Sequence, residues 1–124
     1  MKKLLLILLL TTSVTFGQNF LGEDKTTITQ AFENDTLTTS NDVIIVSHYD
    51  EVRYYYFNND TCYKYVYVNY TSSTEDIVNF LNTYYEFYPT EGYWVGETYR
   101  REEFYVKVDK FEKEQNFAVI FNLF

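Results

Sequence analysis

Cys62-Tyr63-Lys64-Tyr65-Val66-Tyr67-Val68-Asn69-Tyr70 is the stretch on which the fold turns. Apart from Lys64 and Asn69 it consists of aromatic, β-branched and small buried-type residues, the composition that suits a pleated, half-buried surface. Just before it, Asn58-Asn59-Asp60-Thr61 is a polar four-residue connection, and Val52 to Phe57 is again β-favouring. Two such runs across a short polar link read as a hairpin. The β-branched run Val43-Ile44-Ile45-Val46, separated from Val52 by a turn at Asp50-Glu51, extends the hairpin to an antiparallel meander of three strands.

Working outward, Ile28, Ala31 and Phe32 recur at helical spacing, and Glu23 and Asp24 sit where acids favour the positive end of a helix dipole. A first helix is predicted over Glu23 to Glu33. On the other side, Ser72-Ser73-Thr74-Glu75-Asp76 places hydroxyl caps before acids, which opens a second helix. Its stripe is Ile77, Phe80, Leu81, Tyr84 and Tyr88, and Pro89 predicts a stop near Phe87. Tyr93 to Thr98, Glu103 to Asp109 and Asn116 to Phe124 then read as strands, the last two joined by the charged link Lys110 to Gln115. The expected fold is therefore α+β, with two helices packed on one face of a six-stranded antiparallel sheet in the order αβββαβββ.

Strand parity decides which side chains face outward. From Cys62 an unbroken pleat sends Tyr63, Tyr65 and Tyr67 to one side and Cys62, Lys64, Val66 and Val68 to the other. Tyr54 and Tyr56 share a side, and Tyr105 lies opposite Phe104, Val106 and Val108. With Val66, Val68, Phe104, Val106 and Val108 assigned to the helix-covered layer, the open face carries Tyr54, Tyr56, Tyr63, Tyr65, Tyr67 and Tyr105. Tyrosine gives a wide, stiff, amphipathic contact at low entropy cost, so this face is the expected binding site. Aromatic ladders that only stabilise the sheet are the competing reading. In the last strand, Phe117, Val119, Phe121 and Leu123 form the expected buried row. Six strands are too few for a membrane barrel, whose minimum is about eight.

The N-terminus reads as an export signal. Lys2 and Lys3 precede the apolar run Leu4 to Leu10, followed by Thr11, Thr12, Ser13 and Thr15, with cleavage expected after Gly17. That run is shorter than the about 20 residues a membrane span needs. The start and the Phe16-Gly17-Gln18 junction resemble export signals of Gram-negative Bacteroidota. A single domain is expected over residues 18–124, periplasmic or secreted, with no membrane attachment after cleavage. Setting aside Lys2 and Lys3 leaves eight Lys and Arg against 18 Asp and Glu, a net of about −10. Such a field repels phosphate backbones, so nucleic acid is an unsuitable partner. Cys62 is the one cysteine, and burial is its expected state.

Chemistry-bearing patterns are sparse. One histidine, His48, and one cysteine do not make a two-histidine or paired-thiolate metal signature. His48-Tyr49-Asp50-Glu51 groups one imidazole with two carboxylates at a strand end, where exposed polar residues are ordinary. No Gly-x-Ser-x-Gly elbow or phosphate-cradling loop occurs. The acid pairs Asp50-Glu51, Glu75-Asp76 and Glu102-Glu103 read as turn, helix cap and strand end, because adjacent strand residues point to opposite faces. Asn58-Asn59-Asp60 lacks the glycine and closing glutamate of a calcium loop. No catalytic residue, metal or cofactor is expected.

Gly22, Ile28 and Phe32 of the first helix, the Tyr56-Phe57 arm and the Cys62 to Val68 arm resemble small envelope modules of the beta-lactamase-inhibitor-protein type and the SmpA/OmlA lipoprotein type. The likeness covers under half of the chain after the signal, and Glu33 stands where those modules carry a glycine after the helix. It implies αβββ repeats and a role in binding other proteins. The expected function is thus an exported non-enzymatic binding module, engaging a protein partner or its own second copy. A glycan- or small-ligand-binding envelope domain is the alternative.

Overall fold

The computed structural model describes residues 20–70, 73–111 and 116–124, so the expected export signal lies outside the described residues, as do Ser72 and most of the charged link. The elements are α1 (Lys25–Ala31), β1 (Thr36–Thr39), β2 (Val43–Ser47), β3 (Glu51–Asn58), β4 (Thr61–Asn69), α2 (Thr74–Tyr84), β5 (Glu86–Tyr88), β6 (Tyr93–Glu97), β7 (Glu103–Phe111) and β8 (Asn116–Leu123). All eight strands join one antiparallel sheet in the order β1-β2-β3-β4-β8-β7-β6-β5.

This overturns the expected six-stranded αβββαβββ layout with its helical layer. Each helix is followed by four strands, and the two unforeseen strands, β1 and β5, are the sheet edges. The helices have only 7 and 11 residues, so the sheet dominates the structure. Both unforeseen strands are short. Thr36-Leu37-Thr38-Thr39 has a single aliphatic side chain, and Glu86-Phe87-Tyr88 falls within what reads as the continuing stripe of α2.

Local chemistry sets the helix ends. The Asp24 carboxylate accepts from the Thr27 N–H at 2.7 Å and caps α1, and those bonds hold its pKa below the ordinary value. Ser73 caps α2 by accepting from the Asp76 N–H. The helix stops at Tyr85, whose backbone is extended, and that ring turns back toward β6 and β7. Gly96 permits this return, since a Cβ there would come within 2.6 Å of the Tyr85 ring and 2.7 Å of the Phe104 ring. The chain entering α1 is fixed to β4 by Gly22 N–H donating to Cys62 O and Cys62 N–H donating to Glu23 O.

One face of the sheet, here the inner face, carries the core. Its central row runs Tyr55, Tyr65, Phe121 and Val106 across β3, β4, β8 and β7, with the Tyr55 and Tyr65 rings stacked at 4.9 Å, Phe104 meeting Phe121 from the diagonal position on β7, and all these side chains fully buried. Phe32, just past α1, lies 5.6 Å from Tyr55, while Phe80 of α2 packs on Tyr85, which in turn meets Phe104 edge-on. Ile44, Val46, Phe117 and Val119 complete the layer.

Candidate binding face

β4 does not alternate as an unbroken pleat. Phe57 pairs with Cys62 and Tyr56 with Lys64, so Tyr63 is an extra residue in a bulge. One inserted residue reverses the facing of everything after it. Cys62 points inward, Tyr63 is bulged out and 39% exposed, and Lys64 points outward. Tyr65 and Tyr67 are buried in the core, and Val66 and Val68 lie half-buried on the outer face. The expected placement of Tyr65 and Tyr67 on the open face is therefore corrected, together with that of Val66 and Val68 in the core. The physical reason is Lys64. Without the bulge its ammonium would enter the apolar layer, a costly transfer; with it, the ammonium lies 5.1 Å from the Tyr56 ring on the outer face.

Of the remaining expected site residues, Tyr54, Tyr56 and Tyr105 stand on the outer face, opposite the buried Tyr55, Phe57, Phe104 and Val106. Tyr54 and Tyr56 stack at 6.4 Å. Burial raises the Tyr56 pKa, and the neighbouring phenols of Tyr54 and Tyr63 add to the shift. On the far half, Tyr105 contacts Tyr93 at 5.3 Å and Phe124 at 5.2 Å, with the Lys107 ammonium 5.7 Å from its ring.

Between the two aromatic groups the face is aliphatic. Ile45, Tyr54, Val66 and Ile120 occupy one cross-strand row, and Val52, Val68 and Ala118 the next. These aliphatics, with Tyr93 and Phe124, escaped the sequence reading. The findable signal was the run of apolar residues without polar alternation in Val-Ile-Ile-Val of β2 and Phe-Ala-Val-Ile-Phe of β8, which makes both faces of the sheet apolar.

A second cluster lies on the inner face. Glu51 pairs with Asn69, Arg53 with Tyr67 and Tyr55 with Tyr65 across β3 and β4. Asn69 Nδ2 donates to Tyr67 Oη at 2.9 Å, Tyr67 Oη donates to Glu51 Oε2 at 2.7 Å, and Arg53 Nη2 meets Glu51 Oε1 at 2.6 Å. Burial raises the pKa values of Tyr55, Tyr65 and Tyr67, which keeps these phenols protonated. Against burial, which disfavours its charge, the oxygens of Tyr65, Tyr55 and Glu51 hold the Arg53 pKa above its ordinary value. The Glu51, Arg53, Tyr67 and Asn69 side chains are bonded to one another, an arrangement suited to fixing the hairpin, while Arg53 Nε and the Tyr55 and Tyr65 hydroxyls are buried without a hydrogen-bond partner.

Elsewhere, an open groove of about 510 Å³ lies between α1 and the β1–β2 turn, lined by Lys25, Thr29, Gln30, Thr39, Ser40 and Asn41 among others. Lys25 Nζ is engaged by Ser40 O and Asn41 O at 2.8 and 2.7 Å, and no aromatic ring lines the groove to serve as a stacking platform. His48 Nε2 stands 3.7 Å from Asp35 Oδ1 at the end of β2. Among the described residues no three of His, Cys, Asp and Glu gather at one point, and no helix is long and apolar enough to cross a membrane. No family model, curated protein or solved structure matches the chain.

Proposed function

We propose that the chain is an exported, non-enzymatic binding module whose outer sheet face engages a protein partner. The observation that carries this reading is that the sheet is apolar on both faces while the buried side chains of the two short helices, Ile28, Ile77, Phe80 and Leu81, join the inner-face cluster. Contiguous exposed apolar patches beyond a few hundred Å² are rare on monomers and mark contact surfaces. The Tyr54-Tyr56 stack and the Tyr93-Tyr105-Phe124 group flank the aliphatic rows with rigid rings that lose little entropy on binding. Lys64 and Lys107, each over a tyrosine, supply polar edges.

The test is site-specific photo-cross-linking in the producing cells. A benzophenone side chain at Tyr54 or Tyr105 is expected to trap discrete protein species, while the same group at Tyr84, exposed on α2, traps none. Absence of cross-links at Tyr54 and Tyr105, or equal trapping at Tyr84, overturns the proposal.

A further inference from the structure

We infer that the occupant of the outer face is a second copy of this chain, packed sheet on sheet about a two-fold axis that runs along the strands between β4 and β8. The inference rests on the reading of that face as the contact surface and adds the identity of what covers it.

Charge distribution is the first observation. Among the described strand residues, Lys64 is the one outward charge on β1 to β4, whereas β5 to β8 present Glu86, Glu97, Glu103 and Asp109 against Lys107. Laying like half on like half would set four acids against four acids. A two-fold axis between β4 and β8 places each acidic half over the half that has no outward acid. Interfaces favour such complementary fields and reject like-charge juxtaposition.

Strand order is the second. Because the sheet runs β1-β2-β3-β4-β8-β7-β6-β5, this axis sets β4 over β8 and β3 over β7 of the other copy. With the rows fixed by the observed register, Val66 faces Ile120, Tyr56 faces Tyr105, and Tyr54 faces the Lys107 ammonium of the other copy. Aliphatic thus meets aliphatic, ring meets ring, and a cation meets a ring face. An isologous contact requires this self-complementarity.

Size is the third. Six central strands about 4.8 Å apart, with side chains spanning roughly 20 Å along them, project on the order of 600 Å² per copy before side-chain relief is counted. That approaches the roughly 800 Å² per partner of a standard interface. Two apolar sheet faces have a ready geometry, about 10 Å apart and near −30°.

The experiment uses the protein purified after export. Sedimentation velocity is expected to show a dimer at micromolar concentration, and Ile120→Asp to convert it to a monomer with an unchanged circular dichroism spectrum. Val66→Lys gives the same readout where the first variant does not fold. A mixture of Tyr54→Cys and Lys107→Cys chains should cross-link with a short bismaleimide at least tenfold more than either chain alone, because like positions lie about three strand spacings apart, on the order of 14 Å.

Cross-linking of each variant with itself as readily as with the other overturns the half-over-half arrangement. A monomer at every concentration overturns the second copy as occupant, yet leaves the contact face standing if the photo-cross-links trap a different protein. A dimer that survives both Ile120→Asp and Val66→Lys overturns the inference and the reading beneath it.

Discussion

Both β4 and β7 set tyrosine directly before valine, yet Tyr65 and Tyr67 lie in the interior while Tyr105 lies on the outer face. The difference is not in side-chain preference. Phe104 and Val106 are free to fill the inner layer from β7, so Tyr105 is left outside. In β4 the bulge at Tyr63 turns Lys64 outward and commits Tyr65 and Tyr67 to the core. Placement by parity therefore holds only between irregularities, and one residue decides two tyrosines and two valines.

The sharpest way to break this comparison is deletion. Removing Tyr63 should leave a regular hairpin with Cys62 and Tyr65 still inward and Lys64 outward, at a cost of about 1 kcal/mol or less. Removing Tyr105 drives Lys107 into the core and should cost on the order of 4 kcal/mol or more. Urea unfolding measures both; equal costs would show that the bulge does not set the facing of β4. Smaller is the contrast between point substitutions. Tyr65→Ser empties a fully buried site within the stacked row and should cost about 3 to 5 kcal/mol. Within a single chain, Tyr105→Ser loses only cross-strand contacts and should cost the fold under about 1 kcal/mol.

Alkaline titration sharpens the same division. Burial raises the pKa values of Tyr55, Tyr65, Tyr67 and Tyr85 above 10.0 and pushes the Cys62 thiol from 9.0 up to about 12. These groups keep their protons in the folded chain at pH values where the unfolded chain releases them. Their contribution to stability is therefore complete below about pH 9 and falls as pH rises through the folded values. Tyrosinate absorbance should show the inner phenols ionising in a late phase coincident with unfolding; their ionisation ahead of unfolding would place them in water. The smallest effect is at Cys62. Its thiol, 0% exposed, should resist a disulfide reagent at pH 8 in the folded protein and react at once in urea. Rapid native labelling would contradict its inward facing.

How much of this was legible follows from where physics is local. Helix caps and polar turns act within four residues, so Ser73 and the Asn58-to-Thr61 link could be read directly, whereas Asp24, read as a residue of the first helix, is instead its cap. Strand existence was readable for the six runs with dense β-branched or aromatic content. The edge strands were not, because Thr36-Leu37-Thr38-Thr39 and Glu86-Phe87-Tyr88 owe their conformation to pairing with β2 and β6. Half of the candidate face, Tyr54, Tyr56 and Tyr105, followed from simple alternation. Tyr65 and Tyr67 did not, since a bulge is a two-strand event that shows in one strand only as a misplaced Lys64.

The Glu51-Arg53-Tyr67-Asn69 chain has a consequence for how the molecule assembles. Sliding β3 past β4 would carry Glu51 and Arg53 along together, but it would part the Glu51 carboxylate from the Tyr67 hydroxyl, the link of the chain that crosses between the two strands. A shifted hairpin thus forfeits a buried hydrogen bond that the correct alignment of β3 and β4 keeps.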